Sequence, residues 1–180
     1  MSRLDELADQ YERYIAAPWQ RNLAGAQRII FIVYPKEDER RLRIKVKEFE
    51  HRTKAAGHGW FEVDFTSVFP AWMSAEEYRD EYFRHPEDLQ LKLDTEFAEH
   101  CTHRLQETLA NQMVTAETVV ALSGVSSLYG FTRLHGVLHK VENQIQGRLV
   151  VFFPGSFDQN VYRLLDARDG WNYLATPITA

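Results

Sequence analysis

The chain has 180 residues, 44% of them hydrophobic, with 21 Lys and Arg against 26 Asp and Glu for a formal net charge of -5. That length suits one domain spanning residues 1–180 with a proper core, and no apolar run approaches the ~20 residues a membrane helix requires. The charged, amphipathic start MSRLDELADQYERY lacks the apolar core of a signal peptide, and a lone cysteine, Cys101, excludes an internal disulfide framework, so a cytoplasmic location is expected.

Ser2 with Asp5 three residues on signals a helix start. Leu4, Leu7, Tyr11, Tyr14 and Ile15 then share one helical face until Pro18 ends it. RIIFIVY, Arg28 to Tyr34, is too continuously apolar for a half-exposed strand and reads as a buried one. A long charged helix is predicted from Lys36 to Ala56, with Leu42, Val46, Phe49 and Ala56 as its core face and Gly57 and Gly59 beyond its end. WFEVDF, Trp60 to Phe65, alternates as a second strand. Ser74 and Glu77 have capping-box spacing for a short helix that His85-Pro86 closes.

Pro86 suits the first turn of a long helix through Leu89, Leu93, Phe97, Leu105 and Leu109. VVALS, Val119 to Ser123, is a third strand, followed by a helix through Phe131, Leu134, Leu138, Val141 and Ile145. LVVFF, Leu149 to Phe153, is a fourth strand, stopped by Pro154-Gly155. Tyr162, Leu164 and Leu165 read as a short helix or turn. YLATPI, Tyr173 to Ile178, is a fifth strand, with Pro177 at an edge or strand end. Strands alternating with helices predict a three-layer α/β sandwich: a mainly parallel sheet of about five strands with helices on both faces, Rossmann- or RecA-like in style.

In such folds ligands bind at the carboxyl ends of the strands. After the third strand, SGVSSLYGFTR (Ser123 to Arg133) invites comparison with the phosphate-cradling P-loop. Gly124 and Gly130 are separated by five residues instead of four, and Phe131 stands in place of the lysine, so this is no intact P-loop. The loop could still present a helix N-terminus to an anion, although a Gly/Ser turn is the plainer reading. His135 and His139 have i, i+4 spacing, but Gly136 replaces the glutamate of a zinc-protease helix. His100, Cys101 and His103 do not converge on one helix face. No nucleophile elbow is present. Glu62 and Asp64 share a strand face without the lysine a nuclease would add. No catalytic, metal or cofactor residue is expected.

Charge is unevenly distributed along the chain. Residues 1–60 carry 12 basic and 9 acidic side chains, residues 61–117 carry 4 and 13, and the remainder carry 5 and 4. On the predicted helix from Lys36, Arg40, Arg43, Lys47 and Lys54 gather opposite the core face. Arg41, Lys45 and Arg52 form a flanking stripe, and Ile44 lies among the outward-facing residues. A solvated face is the ordinary meaning of such a run. The acidic total argues against coating nucleic acid, whereas a local basic face suits docking to a protein.

Near the end, NVYRLLDARDGWNYL collects Arg163, Asp166, Arg168, Asp169 and Trp171. Asp169-Gly170 is a turn signal, with Gly supplying positive φ, and Asp166 with Arg168 would make an ion pair holding the turn. The run FFPGSFDQNVYRLLDARDGWNYLATPI, with SGVSSLYGFTR upstream and MSRLDELADQYERYIAAPWQ at the start, resembles the BrxB family of BREX (bacteriophage exclusion) defence systems. The resemblance extends over essentially the whole chain.

The resemblance implies a cytoplasmic component of a multi-protein phage-restriction system. Its companions there are a PglZ phosphatase-like protein, a large ATPase and a DNA methyltransferase. No established catalytic residue comes with it. The expectation is therefore a non-enzymatic assembly or adaptor module that binds a PglZ-type partner, with DNA contacted only indirectly or weakly. The candidate partner-binding residues are Arg40, Arg43, Lys47 and Lys54 on the basic face, and Arg163, Asp166, Arg168, Asp169 and Trp171 after Phe153. The alternative is a nucleotide- or DNA-binding regulator, or weak hydrolase, using the Gly124–Arg133 loop with Arg163 and Arg168.

Overall fold

Three central strands, apolar on both faces, hydrogen-bond side by side in parallel, with a less buried parallel strand at each edge. A computed structural model describes all of residues 1–180. In chain order the elements begin with α1 (Arg3–Ala16), β1 (Ile29–Tyr34), α2 (Glu39–Ala55), β2 (Gly59–Asp64), α3 (Val68–Ser74) and α4 (Arg79–Arg84). They continue with α5 (Gln90–Lys92), α6 (Ala98–Leu109), β3 (Thr118–Ser123), α7 (Leu134–Val141) and β4 (Arg148–Asp158). The short strands β5 (Val161–Leu164), β6 (Trp171–Asn172) and β7 (Thr176–Ile178) complete the chain. The parallel sheet has the order β2-β3-β4-β1-β7, which is the expected α/β sandwich with five parallel strands.

Side chains alternate across this sheet and build two cores. Ile30, Ile32, Val119, Ala121, Val150 and Phe152 meet Leu7, Tyr11, Leu42 and Phe49 of α1 and α2. Ile29, Phe31, Val33, Val120, Leu122, Leu149, Val151 and Phe153 meet Phe97, Leu105, Leu138 and Val141 on the opposite face. β2 lies at an edge, so only Val63 is buried within it while Glu62 and Asp64 face solvent. β7 forms the other edge, where Pro177 can lack an N–H without breaking a ladder.

Of the seven α-helices only α1 begins on a side-chain cap. Ser2 and Asp5 cap each other reciprocally at the start of α1. The six apolar residues Leu89, Leu93, Phe97, Cys101, Leu105 and Leu109 are all buried, although their strict i+4 spacing drifts around a 3.6-residue helix. A π-helical stretch, Leu93–Phe97, takes up that drift by widening one turn.

Three local expectations are corrected. Ser74 does not cap a helix: it ends α3, its hydroxyl donating to the Ala71 carbonyl at 2.8 Å. Pro70 is accommodated because it falls in the first turn of α3, where N–H groups have no intrahelical partner. β4 is not stopped by Pro154-Gly155 but runs on to Asp158 and folds back antiparallel onto β5. Residues 161–164 are thus strand, not helix, and the two-residue turn Gln159–Asn160 has φ of 48° and 64°, the left-handed pair that matches strand twist. Gly155 is needed there, since a Cβ would lie 2.0 Å from the Arg163 carbonyl oxygen. No helix is long and apolar enough to cross a membrane.

Candidate functional site

A cleft of about 800 Å³ opens between the loop that follows β3 and the loop joining β5 to β6. The first wall is Tyr129 to His135, the second is Asp166 to Trp171, and Gln90 and Asp94 close one end. The carboxyl ends of parallel strands are where open α/β sheets place ligands.

The loop after β3 divides into a structural and an exposed half. Gly124 adopts φ of 72° against the turn after β2, where Asp64 accepts from the Thr66 amide at 2.8 Å and hydroxyl at 2.6 Å. Ser127 Oγ donates to the Thr66 carbonyl at 3.1 Å, and Val125 and Leu128 are buried. Only from Tyr129 onward does the chain face the cleft. Gly130, with φ of 79°, turns it so that Phe131 stacks on Phe69 at 4.1 Å. Arg133 is the N-cap of α7 and offers no acceptor, so the first amides of that helix are uncapped by any side chain.

The second wall rests on aromatic packing. Trp171 packs against Phe31, Tyr162 and Phe153 at 5.7, 5.5 and 6.1 Å, and against the His135 ring at 5.1 Å. Trp171 is therefore half core and half cleft wall. Leu165 carries φ of 53°, and its amide donates to the Pro154 carbonyl at 2.8 Å, which fixes how Asp166 to Asp169 leave the hairpin.

The expected Asp166–Arg168 ion pair does not form: Asp166 pairs with Lys36 instead. Arg168 and Arg133 both line the cleft without a carboxylate partner. Gly170 is not a positive-φ position; it is required because a Cβ would lie 2.2 Å from Val161 Cγ1. Arg163 is exposed on β5, opposite Ser156, and does not line the cleft.

Burial, then the charges of Arg133 and His139, holds the His135 imidazole below its ordinary range. Its Nδ1 is buried without a hydrogen-bond partner. The His135 and His139 rings stand 6.3 Å apart and nearly perpendicular, and no three His, Cys, Asp or Glu side chains cluster closely enough to hold a metal. Tyr173 donates to Glu142, which together with burial raises its phenol well above the usual value.

Sequence patterns did not single out Gln90, Asp94 or His135 for this cleft, and marked Arg133 only as a loop end. Topology alone brings α5 beside the loop after β3, so no local signal could have found the first two.

The second candidate surface is α2. Arg40, Arg43, Lys47 and Lys54 are all exposed, and Ile44 among them is 81% exposed. Arg43 pairs with Glu39 at 3.2 Å, while Lys47 and Lys54 share Glu50 at 3.0 and 2.7 Å. Of the expected flanking stripe only Arg41 stays free of α1, pairing with Asp38 at 3.6 Å. Arg52 reaches Asp9 and Glu12 of α1 at 2.7 and 2.6 Å, and Lys45 reaches Asp5 and Glu48, so both clamp α1 onto α2.

A family model described as "BREX protein BrxB" matches residues 64–178. The chain belongs to the BrxB family. That membership makes it a component of a BREX antiphage defence system. No curated protein and no solved structure matches the chain. In this BrxB-family protein the matched segment contains every residue lining the cleft, whereas α1, β1 and α2 precede it.

Proposed function

We propose that this BrxB-family protein is a non-enzymatic assembly module of its BREX system, docking a PglZ-type phosphatase-like partner in the cytoplasm through the outward face of α2. The observation that carries this reading is Ile44, 81% exposed amid Arg40, Arg43, Lys47 and Lys54. An apolar anchor ringed by cations has the anatomy of a small interface core with a charged rim. The cations of the i,i+3 and i,i+4 pairs to Glu39 and Glu50 are exposed and screened by solvent, so partner carboxylates can replace them at little cost. Such a face accelerates encounter with an acidic surface and fixes its register. The cleft, for its part, sets no serine or cysteine beside a base; its imidazole, His135, packs at a tilt against Trp171.

Co-expression of the tagged protein with its PglZ-type neighbour tests the docking. The triple variant Arg43→Glu, Lys47→Glu, Lys54→Glu and, separately, Ile44→Asp should each lose the partner while still melting cooperatively, the triple variant at a slightly lower midpoint because it sets like charges beside Glu39 and Glu50. Arg168→Glu, in the cleft, should retain it. Full recovery of the partner with both α2 variants removes that face. Loss with Arg168→Glu alone moves the interface to the segment after Phe153.

A further inference from the structure

We infer that the cleft between α7 and the β5–β6 loop binds a small phosphorylated ligand of nucleotide size. This goes beyond the docking reading and does not depend on it, because the cleft and the α2 face share no residue.

The cleft's volume of about 800 Å³ falls within the range of small-molecule sites. Two arginines reach it from different loops, Arg133 from the turn before α7 and Arg168 from the β5–β6 loop. Neither forms an ion pair; of the three carboxylates that share the cleft, Asp94, Asp166 and Asp169, Asp166 is taken by Lys36. Guanidinium groups on two walls of one cleft are the kind of donor set that planar, multidentate phosphate recognition uses. The unsatisfied amides at the start of α7 add to the same positive end, since the Arg133 N-cap offers them no acceptor.

The remaining groups fit the rest of a nucleoside phosphate. Tyr129, 49% exposed, and the Trp171 indole offer planar faces against which a base can stack. Asp169, exposed and unpaired, is an acceptor for a ribose hydroxyl or a base amino group. Asp94 accepts from the Gln90 amide at 3.3 Å and keeps its negative charge, a second carboxylate able to accept from a sugar or base.

Charge beyond the cleft sets the size of the ligand. Gln90 and Asp94 belong to the stretch 61–117, with 4 basic and 13 acidic residues, and Glu87, Asp88, Glu96 and Glu99 continue outward along the same helical run. A polyanionic strand leaving the cleft would meet like charge, whereas a short phosphate chain ends at the arginines.

Thermal unfolding of the full-length protein with ATP, GTP, cyclic AMP, tripolyphosphate, adenosine and a single-stranded DNA oligonucleotide tests the assignment, followed by calorimetric titration of any hit. At least one nucleoside phosphate should raise the midpoint by roughly 5 °C or more at about 100 times its Kd. Tripolyphosphate should act more weakly and adenosine not at all. Arg133→Glu and Arg168→Glu should each weaken binding by roughly tenfold or more, and Arg163→Glu, outside the cleft, should leave it unchanged. No shift with any nucleoside phosphate at millimolar concentration overturns the proposal, as does equal binding by the Arg133→Glu, Arg168→Glu double variant. Tighter binding of the oligonucleotide than of every mononucleotide overturns the small-ligand assignment.

Discussion

Gly124 and Thr66 leave no room between them for a methyl group: a Cβ on Gly124 would lie 2.4 Å from the Thr66 amide nitrogen and 2.6 Å from its hydroxyl. This contact locks the turn after β2 to the loop after β3, and so fixes where Tyr129 to Arg133 enter the cleft.

Gly124→Ala adds that clash to the cost of a non-glycine residue at φ of 72°. It should destabilise by about 2 kcal/mol or more, lowering the melting midpoint by roughly 4–8 °C. Gly130 has φ of 79° but open space where a Cβ would stand, so Gly130→Ala should cost only about 1 kcal/mol. Urea titration of both variants separates the effects. Equal losses would mean that the approach to Thr66 contributes nothing.

Cys101 is fully buried on α6, and burial pushes its thiol up to about 12. The thiolate, not the thiol, is the nucleophile, so folding should slow alkylation at pH 8 by at least about a hundredfold relative to the urea-unfolded chain. Mass-spectrometric counting of iodoacetamide adducts measures this. Rapid labelling without denaturant would place the thiol at an opening of the helix rather than in the core.

The sheet was legible because burial writes itself into strands such as Ile29 to Tyr34 and Leu149 to Phe153, where both faces must be apolar. The hairpin was not. Pro154-Gly155 carries the usual signal for a strand end, yet Pro154 lies within the parallel register opposite Tyr34, and Gly155 is there for close approach to Arg163. Gln159–Asn160 lacks the glycine that marks most left-handed hairpin turns. The cleft was half legible: Asp166, Arg168, Asp169 and Trp171 form a conspicuous run, but their opposite wall lies more than thirty residues away in sequence. The basic helix showed the converse problem. Periodicity placed Lys45 and Arg52 on a flank, but only the packing of α1 on α2 reveals their carboxylate partners.

His135 gives the protein a pH-dependent component. Its folded pKa is depressed by burial and by Arg133 and His139. The unfolded chain therefore takes up the proton first, near the ordinary imidazole value of about 6.5. The contribution of the neutral ring is fully present above that pH and declines as pH falls toward the lower folded value. His135→Phe removes both this slope and the unpartnered Nδ1. The variant should be more stable by about 1 kcal/mol at pH 7.5, and by a larger margin at pH 5.5. Urea titrations at the two pH values, compared between the proteins, cancel the like-signed effect of His100, whose pKa is also lowered by burial. A margin that stays constant or shrinks on acidification contradicts the assignment.

Tyr11 and Thr53 join α1 to α2 through a fully buried hydrogen bond of 2.6 Å. Thr53 has one hydroxyl proton and gives it to the Phe49 carbonyl at 2.7 Å, so the Tyr11 hydroxyl is the donor between the two side chains. Burial raises the Tyr11 phenol well above its usual value, so the proton stays in place through alkaline titration of the folded protein. The two deletions are then unequal. Tyr11→Phe leaves Thr53 bonded to Phe49 and should cost about 1 kcal/mol, whereas Thr53→Val strands a buried hydroxyl and should cost about 2 kcal/mol. In the double variant no polar group is left unpaired, so its loss should fall below the sum of the two by about 1 kcal/mol. Four denaturation curves, wild type included, close the cycle. Strict additivity would show that the two hydroxyls do not interact, and a larger loss for Tyr11→Phe would reverse the direction of donation.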